Sequence, residues 1–174
     1  MRAADVKAPV AASTRASIQL TDPGVAAPEA GPARLDPARL SLNPGTRRDA
    51  RIYGGWWPRS RDATAELPGL IGELRARAGR VSRIALQAEA FTNIPRQLTA
   101  DGRKVRIAWF RYMNPHTVIV TMAGADDLIL LVVPEHASPA AATEALRLAA
   151  SDQDAGSPEA ILSASGTGAA PGPA

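Results

Sequence analysis

Five apolar or alternating stretches between Val81 and Val133, separated by turn signals, narrow the fold of this chain more than any other feature. Val81 to Ala88 alternates, with Ile84 and Leu86 on one face. Gln97 to Thr99 and Lys104 to Phe110 flank Asp101-Gly102, a pair that takes the positive φ angles of a two-residue hairpin turn. Thr117 to Met122 is β-branched, and Leu128 to Val133 is a continuous apolar run ended by Pro134, the pattern of a buried central strand. The connection Gly124-Ala125-Asp126-Asp127 is short enough to make these last two stretches a hairpin.

Upstream, Arg39-Leu40-Ser41-Leu42 alternates and stops at Asn43-Pro44-Gly45, as a short strand before a turn does, and Arg51 to Trp57 reads as a second, irregular strand. Leu67, Leu70, Ile71 and Leu74 recur at i, i+3, i+4 and i+7, which puts them on one helix face. Pro68 is tolerated only near the first turn of that helix, and Gly79 is placed to end it. Ser138-Pro139, an N-cap followed by proline at the first helical position, opens a second helix to about Ala150. Residues 1–36 and 151–174 are rich in small residues without a sustained apolar period, apart from Ala160-Ile161-Leu162, and are expected to be disordered tails. The expected fold is α+β over residues 37–150: a mostly antiparallel sheet of about five to seven strands with two helices packed on one face.

The chain contains no cysteine, so disulfides, thiolate metal sites and cysteine nucleophiles are excluded. No stretch approaches the roughly 18 apolar residues of a membrane helix and the N-terminus lacks a signal-like apolar block, so a cytoplasmic location is expected. The formal charge of +3 conceals an asymmetry, because residues 31–115 carry sixteen basic and seven acidic groups while residues 116–174 carry one and seven. That polarity suits an acidic partner on one face, or neutralisation of one half by the other across the fold.

Of the two histidines, His116 follows Asn114-Pro115 at the entry to a strand, where it suits a base near neutral pH or a loop hydrogen bond. His136, in Pro134-Glu135-His136-Ala137, reads as a solvated connector. Asp62 and Glu66 fall on one helical face, as paired carboxylates or simply as helix-start charges suited to the dipole. No clustered ligands or phosphate loop appear, so neither metal nor cofactor is expected. In RKVRIAWFRYMNPHT, strand geometry sends Lys104, Arg106, Ala108 and Phe110 to one face and Val105, Ile107 and Trp109 to the other. Cations beside an exposed ring are what a single-strand nucleic-acid platform requires, and also what an ordinary half-buried strand carries.

The segment Tyr53-Gly54-Gly55-Trp56-Trp57-Pro58-Arg59-Ser60-Arg61-Asp62, followed by Glu66-Leu67-Pro68, resembles a family of small uncharacterised actinobacterial proteins with a domain of unknown function. Arg80 to Ile84, Phe110-Arg111, Asn114 to Val118 and Leu130 to Pro134 extend the resemblance over about residues 39–150. Tyr53 stands where the family has an acidic residue. The resemblance implies the domain boundaries and no activity.

Proline disfavours the helical region for the residue before it, so Trp57 is expected to be extended, with the two indoles on opposite faces. One should pack with Leu70 and Leu74, and the other should lie in a groove beside Arg59 or Arg61. The leading expectation is therefore a non-enzymatic binding or regulatory module with a groove of Trp56, Trp57, Arg59, Ser60, Arg61 and Asp62 beside the strand residues Arg106 and Arg111. Its partner would be an acidic protein or a small molecule. The alternatives are a small enzyme or ligand-binding domain using His116 with Arg59 or Asp62, and a single-stranded nucleic-acid binder.

Overall fold

The computed structural model describes residues 39–45, 52–151 and 156–167, all of them in one compact unit. The N-terminal tail expected over residues 1–36 lies outside the described residues.

The apolar stretches become seven strands: β1 (Leu40–Leu42), β2 (Gly54–Trp56), β3 (Val81–Gln87), β4 (Gln97–Ala100), β5 (Arg103–Phe110), β6 (Thr117–Met122) and β7 (Leu128–Val132). They form one sheet in the order β1-β2-β7-β6-β3-β5-β4. The Asp101-Gly102 turn joins β4 to β5 with φ of 50° and 71° at its two central residues, as a primed turn demands. β6 and β7 form the expected antiparallel hairpin.

Two pairings differ from an antiparallel meander. β2 runs parallel to β7, with Gly54 opposite Leu130 and Trp56 opposite Val132, and β3 runs parallel to β5. The sheet is mixed, and β2, β7, β3 and β5 all point one way. Parallel neighbours need crossover connections, and α1 (Ala63–Arg77) carries the chain from β2 to β3.

The helices also depart from the expected arrangement, because they cover both faces rather than one. α1 buries Leu67, Leu70, Ile71 and Leu74 in the same cluster as Trp56, Ile84, Val105, Val118 and Leu130. α2 (Pro139–Ala149) and a third helix, α3 (Pro158–Ala164), form a second cluster with Leu131 and Val133. The physical reason lies in the β7 run itself. Successive residues of a strand face opposite ways, so an apolar strand needs cover on both sides: Leu130 and Val132 take α1, and Leu131 and Val133 take α2 and α3. The third helix replaces part of the expected C-terminal tail. Ser157 caps it by accepting from the Ala160 N–H, Pro158 opens it, and the Ile161-Leu162 patch is its buried face.

Gly54 and Gly55 permit the close packing that this layering imposes on β2. A Cβ on Gly54 would stand 2.3 Å from the Ser41 carbonyl oxygen on β1, and one on Gly55 would stand 2.9 Å from Leu146 Cδ2 on α2. At Gly54 the obstacle is backbone and glycine is a requirement of approach, whereas at Gly55 the nearest atom is the tip of a side chain that can shift.

Candidate functional site

The common direction of β2, β7 and β3 brings their C-terminal ends, and the entry to β6, to one edge of the sheet. A cleft of about 250 Å³ opens there. Pro58, Ser60 and Arg61 follow β2; Ala90 and Phe91 follow β3; Pro115 and His116 precede β6; Pro134, Glu135 and His136 follow β7. Ligand sites in sheets with parallel strands favour this location, just beyond the carboxyl ends.

Each wall is held by local hydrogen bonds. The buried Glu66 carboxylate accepts from the Arg59 backbone N–H at 3.1 Å and the Ser60 hydroxyl at 3.0 Å, and so fixes the turn after Pro58. Arg61 donates from Nε to the Ala90 carbonyl at 2.9 Å and from Nη2 to the Glu89 carbonyl. Gln87, itself buried, shapes the facing turn: its Oε1 accepts from the Glu89 and Ala90 N–H groups, and its Nε2 donates to the Arg111 carbonyl. The two loops are further joined by an isolated parallel bridge between Asp62 and Thr92. On the opposite wall Asn114 accepts from the His116 N–H at 2.8 Å and donates to Glu159 of α3 at 2.5 Å.

The electrostatics follow from these contacts. The Glu159 carboxyl is held below its ordinary range by its own backbone N–H first and by the Asn114 amide next, with Ser157 and the charge of His116 adding smaller contributions. Asp62 is lowered chiefly by the Asn93 side-chain amide, and then by the Ala65 and Thr64 N–H groups that it caps. Among the described residues no hydrogen bond reaches the imidazole of either His116 or His136, and no group of three His, Asp or Glu side chains is disposed to hold a metal ion. The cleft therefore offers two imidazoles, one guanidinium and one carboxylate, Glu135, against apolar surface from Phe91, Val132 and the prolines.

A family model matches residues 39–149, and that family is DUF5994, a family of unknown function. The chain belongs to DUF5994. The match takes in every residue that lines the cleft, whereas Glu159 on α3 lies beyond it. No curated protein and no solved structure matches the chain.

The DUF5994 domain distributes the sequence candidates differently from the expected Trp/Arg groove. Trp56 is fully buried and stacks on Phe91 with centroids 5.8 Å apart and planes 7° from parallel. Trp57 is the partly exposed one of the two indoles, and the cation over its ring is Arg39, at 4.5 Å, rather than Arg59 or Arg61. The Arg59 side chain is exposed and does not line the cleft. Asp62 is the N-cap of α1, donating nothing to the cleft. Arg106 and Arg111 are exposed on and just after β5 and do not line the cleft. Of the nine candidates, Ser60, Arg61 and His116 meet in the cleft. His136 and Glu135 join them and were missed. The available signal was their position directly after a buried apolar strand.

Across the described residues no helix is long and apolar enough to cross a membrane.

Proposed function

We propose that this DUF5994 domain is a binding module for a small organic anion, held in the strand-end cleft with the anionic group between Arg61, His116 and His136. The observation that carries the reading is the convergence of both of the chain's histidines with a positioned arginine in one cleft, although they lie in three separate segments. Arg61 is oriented by two backbone carbonyls and needs no rearrangement to receive a ligand. Phe91, Val132 and the prolines supply the apolar lining that gives small-ligand sites their affinity, and the few polar groups supply orientation.

A catalytic role for His116 with Arg59 or Asp62 draws no support from this arrangement. A catalytic base is oriented by a hydrogen bond from a third group, and Asp62 is already occupied by the helix cap and Asn93.

Thermal-shift measurements of the full chain against organic acids and their neutral amides test the proposal. Acids should raise the melting temperature and matched amides should not. His136→Ala, at an exposed position, should weaken acid binding about tenfold, the loss of roughly one charge-assisted hydrogen bond, with the melting temperature of the free protein unchanged. Equal responses to acids and amides, or undiminished binding in both His136→Ala and His116→Ala, would overturn it.

A further inference from the structure

Among the described residues the exposed large apolar side chains are Trp109 (43% exposed), Phe110 (48%) and Tyr112 (102%), at and just after the end of β5, and of these Phe110 shares a strand face with Lys104 and Arg106. The same strand carries the exposed cations Arg103, Lys104 and Arg106. Arg106 lies directly beside Arg83 of β3 in the parallel ladder and beside Gln97 of β4 on its other side, and Arg83 lies beside Thr121 of β6. A row of hydrogen-bonding side chains, Gln97-Arg106-Arg83-Thr121, therefore crosses four strands. The next row along β5 and β3, Ala108 beside Ala85, is low, and Phe110 follows beside Gln87.

Like charges side by side in a ladder are destabilising. Neither Arg83 nor Arg106 makes an ion pair or side-chain hydrogen bond among the described residues, and the strands β3 to β7 contain no carboxylate. Among the described residues the fold thus keeps an uncompensated pair of arginines on an exposed strand face, with an exposed ring two rows, about 13 Å, along the strand.

We propose that the outer face of β4, β5 and β3 is a binding surface for single-stranded nucleic acid, with Arg83, Lys104 and Arg106 on backbone phosphates and Phe110 stacked on a base. Charge complementarity selects a polyanion. The exposed ring selects an unpaired base, because a base inside a duplex has no free face to offer. A second copy of this chain would set its own arginine pair against the first. This surface is separate from the cleft, and the proposal stands whether or not the cleft binds an anion.

The test is fluorescence anisotropy of a labelled oligothymidylate of about twelve nucleotides with the full chain. Three phosphate contacts on a single strand give a salt slope of about −2, so binding should weaken about twentyfold between roughly 50 and 200 mM salt. Arg106→Gln should lower that slope to about −1.4. Phe110→Ala should weaken binding about tenfold with the slope unchanged, since stacking carries no counterion release. Both positions are exposed, so both variants should melt with the parent protein. Absence of binding at low salt, equal affinity for the duplex, or full affinity in Phe110→Ala would overturn the proposal. So would capture by anionic lipid vesicles, or self-association through this face, without oligonucleotide binding.

Discussion

Replacing Trp56 separates two contributions that its burial combines. The indole is fully buried, sits in the cluster under α1 and stacks on Phe91, yet among the described residues its Nε1–H finds no hydrogen-bond partner. Burying a tryptophan removes about 150–250 Å² from water, worth about 4–6 kcal/mol at ~25 cal/mol per Å². Truncation to alanine forfeits most of this, and Phe91 cannot swing in to fill the space because its loop is tied to Arg61 by the Arg61–Ala90 hydrogen bond and the Asp62–Thr92 bridge. Against the loss stands relief of the unpaired donor, about 1–3 kcal/mol. Trp56→Ala should therefore cost about 3 kcal/mol, or roughly 12 °C in melting temperature at ~4 °C per kcal/mol. Trp56→Phe keeps a ring for the stack and also removes the donor, so its cost should stay under about 1 kcal/mol. Urea unfolding followed by far-ultraviolet circular dichroism measures both without relying on the indole that has been removed. Equal losses in the two variants would refute the reasoning, because the indole N–H would then contribute as much as the buried ring.

Trp57→Ala, at the half-buried indole under Arg39, should cost less than Trp56→Ala; the cation–π contact contributes about 0.5–1 kcal/mol at such a site. Gly54→Ala should detach β1, since the new Cβ would meet a backbone oxygen at 2.3 Å; the expected loss is at least about 1–3 kcal/mol, with increased amide exchange at Trp57, whose N–H donates to Arg39. Glu66→Ala leaves the Arg59 N–H and Ser60 hydroxyl without their acceptor and should cost about 1–3 kcal/mol, with anion binding weakened alongside stability. The Asp62 carboxyl is lowered from 3.8 by the Asn93 amide and the capped N–H groups. Its contribution is complete above the unfolded value and lost as pH falls through the lower folded value. Denaturant titrations below pH 5 should show that loss, and Asp62→Asn should show less of it.

The local elements were legible because their signals are local. Period and turn chemistry place α1 by its Leu67 to Leu74 face, β4 and β5 by Asp101-Gly102, and α2 by Ser138-Pro139. Pairing between distant strands leaves no such mark. Nothing in Gly54-Gly55-Trp56 announces a parallel neighbour at Leu130, and that pairing decides both the two-sided helical cover and the edge at which the cleft forms. The Arg/aromatic face of β5 was readable from alternation alone. The cleft was not: the β6–β7 hairpin sets His116 and His136 at one end, but Ser60, Arg61 and Phe91 reach that end only through the long-range β2–β7 and β3–β6 pairings.

The β2–β7 pairing also sets a timetable for the nascent chain. Residue 54 cannot take its place in the sheet until residue 130 has been synthesised, so the β1–β2 segment emerges with the apolar face of Trp56 uncovered while β3, β4, β5 and β6 already have their neighbours. Long-range parallel pairing is slow to form and leaves apolar surface accessible in the meantime. A chain whose β6 has emerged but whose β7 has not would display a four-stranded β6-β3-β5-β4 sheet with a free edge on β6, and that interval is when this chain most needs protection from aggregation.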